Sequence, residues 1–319
     1  MEKLVIGIDI GGINTVMGIV NAKGIMMESR SIPTGQYPTA EEYVNVLTSE
    51  LNELIEKFGG KAVFKGIGVG VPCGNYYNGC VENTANLSWC KDKIVPLAKM
   101  ITEATGLPTA LTNDANAAAV GEMIYGVANG MKNFIMITLG TGVGSGIVVN
   151  GQVVYGQDGF AGELGHVIVR RDGRLCGCGR RGCLETYTSA TGVAFTAREY
   201  LENDKRDSLL RKIKSADITS KDVYDAARQG DQLAMDIFEF TGKILGEAFA
   251  DFVTFTGPEA IVLFGGLANA GKYIMDPVYK HMEANMLSLY KGKTKLLRSR
   301  LNESDAAVLG ASALGWEVA

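Results

Sequence analysis

Cys176, Cys178 and Cys183 fall within eight residues, and His166 lies ten positions ahead of the first of them, in the stretch from Glu163 to Glu185. Three thiolates and an imidazole at such spacing can converge on one small tetrahedral cation, and that donor set suits zinc. It would satisfy the ion completely and leave no position for a bound water, so the site reads as structural rather than hydrolytic. Gly177, Gly179 and Gly182 permit the tight turns that these short spacings demand. The alternatives are a disulfide or three unrelated buried thiols. Cysteine is among the most buried residue types, but these three are separated by glycine and arginine instead of apolar neighbours, which is not a core pattern. Clustered Cys and His in an intracellular chain bind metal more often than they form disulfides. Pinning this loop would also fix the carboxylates that flank it, Glu163 and Glu185.

At 319 residues the chain is long enough for two domains, each with its own core. A net charge of -4 argues against a nucleic-acid binder, whose footprint would be basic. No stretch reaches the roughly 18 consecutive apolar residues of a membrane span, and the start, Met1-Glu-Lys-Leu-Val-Ile-Gly, lacks the layout of a signal peptide. The expectation is a cytoplasmic protein with no membrane or nucleic-acid partner. Cys73, Cys80 and Cys90 have no compact spacing and read as ordinary thiols. The 41 glycines cluster beside β-branched runs, where they mark close backbone approach.

In chain order, apolar runs at Leu4 to Ile10 and Val16 to Val20 flank Gly11-Gly12 and predict a hairpin with a glycine tip. A third run spans Ile25 to Ile32. Thr39 with Glu42 signals the start of a helix that Gly59-Gly60 stops. A strand at Phe64 to Val71 precedes a loop-like Cys73 to Trp89, a helix around Ile94 to Thr105, a short strand at Thr109 to Thr112 and a helix opened by Asn113-Asp114. Near Asn133 the opening pattern recurs: a strand, the turn Gly140-Thr-Gly-Val-Gly144 and a second strand. Gly12, Gly18, Ile19 and Val20 can be laid over Gly140, Gly146, Ile147 and Val148, which predicts an internally duplicated α/β core. One glycine turn from each half could hold successive phosphates of a nucleotide through backbone N–H groups. Helices follow at about 192–202, 220–229 and 231–255, then a strand at Ile261 to Phe264, a third glycine turn at Gly265-Gly266, a helix, a short strand and a last helix from about Asp305. The charged run from Glu202 to Lys214 reads as a solvated face.

Asp9, at a strand end before a glycine turn, is placed to hold Mg²⁺ through water. Asp114 reads either as a helix N-cap or as a base that takes the proton of a sugar hydroxyl attacking a γ-phosphate. Asn113 and Asn86 are two-way hydrogen-bonders suited to a polyol. No Walker-type Gly-Lys-Ser follows either of the first two turns.

Together these motifs resemble the ROK family of repressors and sugar kinases. The residues that carry the resemblance are Glu163-Leu-Gly-His166 and Cys-Gly-Cys-Gly-Arg-Arg-Gly-Cys-Leu-Glu185, supported by Asp9-Ile-Gly-Gly12, Asn113-Asp-Ala-Asn116, Gly140 to Gly144 and Gly265-Gly266. The resemblance runs nearly end to end and is strongest to the ATP-dependent glucokinases. It implies an actin-like, ribonuclease-H-like ATPase fold of two domains, drawn as 1–113 with a C-terminal helix at 305–319 and as 114–304, closing on a hexose and ATP. It implies Asp114 as general base and Asn86, Asn113, Asp114, Glu163, His166 and Glu185 as sugar ligands, with His166 turning its other ring nitrogen to a structural Zn²⁺. The nucleotide and its Mg²⁺ would fall to Asp9, Gly11, Gly12, Asn14, Thr15, Gly140, Thr141, Gly142, Gly144, Gly265 and Gly266.

The family's first turn usually continues Gly-Gly-Thr-Lys, whereas Ile13 and Asn14 stand here, so Asn14 or Thr15 must supply any polar side chain at that turn. The family's repressors carry a DNA-binding segment ahead of the sugar domain, for which a first strand at Leu4 leaves no room. The expected activity is phosphorylation of glucose on its 6-hydroxyl. N-acetylmannosamine, allose, mannose and fructose are the alternative sugars, and a non-catalytic sugar sensor is a further alternative. The family likeness also implies a homodimer.

Overall fold

The computed structural model describes residues 3–82, 84, 87–301 and 303–318, the side chains of 303–305 excepted. Its chain forms two compact units, one of residues 1–131, 146–162 and 300–319 and the other of 132–145 and 163–299.

The first unit is built on a five-stranded mixed sheet of order β3-β2-β1-β4-β8, from β1 (Leu4–Ile10), β2 (Asn14–Asn21), β3 (Met26–Pro33), β4 (Phe64–Gly70) and β8 (Thr109–Thr112). β1 and β2 form the expected hairpin, closed by Gly11 N donating to Asn14 O at 3.0 Å. β1, β4 and β8 run parallel, and parallel strands must be covered on both faces. On one face Leu4, Ile6, Ile8 and Ile10 pack with Tyr43, Leu47, Leu51 and Leu54 of α1 (Ala40–Lys57) and Leu97 and Ile101 of α2 (Leu97–Thr105). Thr39 caps α1 by accepting from Glu42 N.

The opposite face alternates glycines with a few apolar side chains, Val5 and Val20 packing against Leu309. Its glycines let α9 (Glu303–Leu314) lie directly on the strands: an added Cβ would stand 2.1 Å from Val308 O at Gly7 and 1.9 Å from Ala311 O at Gly68. α3 (Asp114–Tyr125) packs beside α9 through Gly121, whose Cβ would meet Gly310 Cα at 2.7 Å. That packing places α3 in the first unit, whereas the division expected from sequence assigns it to the second domain.

Two segments differ from the sequence reading. The loop-like stretch after residue 73 contains β5 (Gly74–Asn75), β6 (Cys80–Glu82) and a 3₁₀ turn at Ser88–Cys90, and the expected helix start at Ile94 is instead β7 (Ile94–Val95), which completes a small sheet of order β5-β6-β7. Pro96 disfavours helical geometry at the residue before it, so α2 begins only at Leu97.

The other five-stranded sheet has order β11-β10-β9-β12-β13, from β9 (Phe134–Leu139), β10 (Val143–Val149), β11 (Gln152–Val153), β12 (Ala260–Phe264) and β13 (Lys295–Arg298). In the second unit Ile135, Ile137, Leu139, Ile261 and Leu263 share a core with α5 (Ala190–Asn203), α6 (Ser220–Arg228), α7 (Gln232–Thr256) and α8 (Lys272–Asn285). The short α4 (Glu185–Thr188) precedes α5. Part of the charged run from Glu202 is not a solvated face, since Leu210 within it is buried in this core. Among the described residues no helix is long and apolar enough to cross a membrane.

The close seat of α9 gives a direct test. Gly68→Ala should lower stability by about 3 kcal/mol, the upper end for overpacking a tight core, read as a lower urea midpoint at unchanged slope. An unchanged midpoint would mean that α9 can move away at no cost.

Candidate functional site

Parallel strands that end together bring their following residues together. In the first unit Asp9 pairs in register with Gly70, and Gly70 with Thr112, so the ends of β1, β4 and β8 are level and Asp114 begins α3 two residues beyond. Asn113, not Asp114, is the N-cap: its Oδ1 accepts from Ala115 N at 2.8 Å. Asp114 is the first helical residue and accepts from the same N–H at 2.8 Å. The Asn113 oxygen is thereby engaged in the cap.

Burial pushes the Asp9 carboxyl up from 3.8 to about 6, and the nearby charge of Asp114 adds to the shift. Asp114 is in contact with solvent, yet the protein packed around it hydrates its charge poorly, and its pKa is also raised, against two opposing backbone N–H bonds. Two carboxylates that both resist ionisation at one sheet edge form a place for a divalent cation or a proton acceptor.

At the first turn Gly12, Ile13 and Asn14 are exposed. Thr15 is not available there. It is fully buried, and its hydroxyl is 2.8 Å from both the Thr34 and the Tyr43 hydroxyls, so its side chain is not presented at the turn as the sequence reading expects. Asn86 lies outside the described residues.

In the second unit the glycine turns follow neighbouring parallel strands, with Phe264 of β12 opposite Thr138 of β9. The 140–144 turn is held from three sides: Gly144 N donates to Thr138 Oγ1 at 3.1 Å, Ala190 N to Gly140 O at 2.9 Å and the Thr191 hydroxyl to Thr141 O at 2.6 Å. Gly140 and Thr141 are exposed, and Gly142 is half-buried. Gly265 has φ of 98°, and a Cβ there would stand 2.7 Å from Leu139 O, so only glycine lets this turn close against the end of β9. Gly266 beside it is exposed and opens a 3₁₀ turn.

The His166, Cys176, Cys178 and Cys183 donor atoms all lie within 4.8 Å of one another. A tetrahedral zinc with Zn–S near 2.3 Å and Zn–N near 2.0 Å sets ligand edges of about 3.8 Å for S···S and about 3.5 Å for N···S. The corresponding separations are 3.7 Å for Cys178 Sγ to Cys183 Sγ and 3.7 Å for Cys176 Sγ to His166 Nδ1. The donors therefore fit such an ion, and all three cysteines are free thiols rather than a disulfide. Although burial opposes it, bonding from Arg180 brings Cys178 down to about 6, while burial raises Cys176 and Cys183.

Glu185 opens α4 beside this cluster. Its Oε1 accepts from the Cys176 thiol at 2.9 Å and lies 3.6 Å from His166 Nδ1, and its Oε2 is on the other side, where a Cβ on Gly142 would stand 2.9 Å away. Glu163 is exposed ahead of the 3₁₀ turn Leu164–His166, which Leu164 N anchors to Ser145 Oγ at 3.0 Å. Glu163, His166, Glu185 and the 140–144 turn thus belong to one unit, and Asp9, Asn113 and Asp114 to the other. Sequence reasoning missed Arg174, whose side chain is only 10% exposed and whose guanidinium runs beneath α4. It also missed the Thr15–Thr34–Tyr43 hydroxyl cluster that backs the first turn.

The family model described as ROK family matches residues 5–317. A glucokinase of Halalkalibacterium halodurans is 34% identical over 325 aligned positions, covering 99% of this chain and 95% of the relative. A glucokinase of Thermotoga maritima is 32% identical, covering 98% of each. The crystal structure of a ROK family glucokinase from Streptomyces griseus in complex with glucose and AMPPNP aligns with a TM-score of 0.81 at 31% identity, over 98% of this chain and 99% of that one.

Two measurements follow from this geometry. Cys178→Ser should strip bound metal, seen as a fall in zinc per chain by elemental analysis; wild-type protein purified without chelator and free of metal would mean that no ion holds this loop. For Asp9 the folded state holds its proton more tightly than the unfolded chain, so the stability it contributes is lost as pH rises from near 4 to near 6. By linkage that loss is about 3 kcal/mol. Asp9→Asn should therefore be more stable than wild type at pH 8 without divalent cations, and little different at pH 4. Equal gains at both pH values would rule out ionisation as the cause.

Proposed function

The chain belongs to the ROK family, and on that premise we propose that it is an ATP-dependent glucokinase, transferring the γ-phosphoryl group of Mg-ATP to the 6-hydroxyl of glucose. The observation that carries the mechanism is the pair of poorly hydrated carboxylates, Asp9 and Asp114, at the level ends of β1 and β8. A base works best when its pKa lies near the working pH, and the protein packed around Asp114 moves it in that direction although solvent reaches it.

In this reading Asp114 accepts the proton of the sugar 6-hydroxyl as that oxygen attacks the γ-phosphorus and the bond from phosphorus to the β,γ-bridging oxygen breaks, so that ADP leaves and Asp114 holds the proton. Asn113 offers its amide donors to a neighbouring hydroxyl, because its oxygen is committed to the helix cap. Glu163, His166 and Glu185 accept or share the remaining hydroxyls, and Asn86 belongs to the same set by family likeness. Asp9 would hold Mg²⁺ through water. Bound Mg²⁺ would neutralise charge developing on the phosphates. Backbone N–H groups of Gly11, Gly12, Gly140, Thr141, Gly142, Gly144, Gly265 and Gly266 would meet the nucleotide, with Asn14 as the polar side chain at the first turn. Zinc held by His166, Cys176, Cys178 and Cys183 would supply rigidity and no chemistry.

The like orders β3-β2-β1-β4-β8 and β11-β10-β9-β12-β13 support the reading of a duplicated, actin-like core. Discrimination among hexoses would rest on buried polar groups that lose a partner when a hydroxyl is absent or inverted.

The test is ADP release with glucose, mannose, N-acetylmannosamine, allose and fructose. Glucose should give the highest kcat/KM. No sugar raising turnover above the ATP-only rate would end the kinase reading, and a different best sugar would move the assignment within the family. Asp114→Ala should cut kcat by about 10³-fold with the fold retained, the scale of a lost general base; near-normal turnover would remove Asp114 from that role.

A further inference from the structure

Five arginines lie between residues 170 and 181, and one is unlike the rest. Arg171, Arg180 and Arg181 are exposed, and Arg170 reaches out to Glu247 at 2.9 Å. Arg174 instead turns inward. Its guanidinium carbon sits 4.5 Å from the centre of the Tyr187 ring and 4.6 Å from that of Phe195. One terminal nitrogen donates to Thr186 O at 2.7 Å and Gly192 O at 3.3 Å; the other donates to the Thr196 hydroxyl at 2.9 Å and to Glu199.

The backbone of the same residue is held as firmly. Arg174 N donates to the Tyr187 hydroxyl at 3.0 Å, and Arg174 O accepts from Gly182 N at 2.8 Å. One residue therefore joins the cysteine loop, α4 and α5. α4 is four residues long, too short to hold its own shape, and Glu185 is its first residue. Just past Glu185, Thr186 is held twice: its N–H and hydroxyl donate to Cys183 O at 3.1 and 2.7 Å, inside the cysteine loop, and its carbonyl accepts from Arg174, the bond that ties it to α5.

We infer that Arg174 is a positioning residue that sets where the Glu185 carboxylate stands for the sugar. This rests on the reading of Glu185 as a sugar ligand. The demand is for a planar fork between two rings, with carbonyls and a hydroxyl at fixed angles, which a lysine ammonium cannot reproduce. Charge alone would not serve.

The test compares Arg174→Lys, with Arg171→Lys as an exposed control, against wild type. Arg174→Lys should raise the glucose KM about 10-fold or more, the usual cost of losing a supporting partner of a binding residue, while kcat and the ATP KM stay within about three-fold. Backbone amides of residues 184–192 should exchange hydrogen faster in Arg174→Lys than in wild type, with exchange elsewhere unchanged. Arg171→Lys should leave all of these alone.

A normal glucose KM in Arg174→Lys would overturn the inference, because the lysine charge would then suffice. So would glucose and ATP KM values rising together with falling kcat, which would mean general damage. If wild-type protein phosphorylates no hexose, the kinase reading is what falls. Hydrogen exchange then decides Arg174 by itself, and unchanged protection of 184–192 refutes it.

Discussion

Two carboxylates that the protein hydrates poorly are the constraint on which the first unit depends. Asp9 and Asp114 are brought near each other by strand register and not by any attraction between them, since each raises the cost of ionising its neighbour or itself. Such an arrangement is maintained only if the surrounding fold is rigid enough to impose it. Here the rigidity comes from below. Glycines on the covered face of β1 and β4 let α9 rest on the strands, and α3, which carries Asp114, packs against α9 through another glycine contact. The cost of ionising these carboxylates and the closeness of the packing are thus connected through α3, and protonation removes that cost.

The second unit reaches rigidity by other means. Its helices surround an apolar core, but the stretch from Glu163 to Glu185 contributes little to that core beyond Leu184, with Leu164 and Val169 packed against it. Its shape is set by glycines in left-handed geometry, notably Gly182, whose Cβ would stand 1.6 Å from Arg170 O, and by polar groups gathered at one point. A segment so poor in hydrophobic contacts needs directional bonds to be ordered at all.

Much of this was readable from sequence because it is local. The hairpin around Gly11-Gly12, the cysteine spacing and the glycine turns after β9 and β12 each sit within one or two elements, and the ligand atoms of the cluster gather as their spacing suggests. The burial of Thr15 is legible too, since it shares a strand face with Met17 and Ile19, and that alternation turns its hydroxyl away from the turn. What could not be read is long-range. Nothing near Gly68 announces a helix more than 200 residues later, and nothing local separates Arg174 from its four neighbouring arginines. The choice of Asn113 over Asp114 as cap depends on backbone angles that either residue could adopt.

Glu185 connects these themes. One of its oxygens accepts from the Cys176 thiol, and the other stands behind the Gly142 backbone of the 140–144 turn. A thiol can donate that bond, whereas a thiolate cannot. The cysteine cluster and the 140–144 turn therefore meet at one side chain, and they hold it by different means: a donor on one oxygen and close backbone at the other. A loop with little apolar core is in this way joined to the turn between β9 and β10 through a single carboxylate.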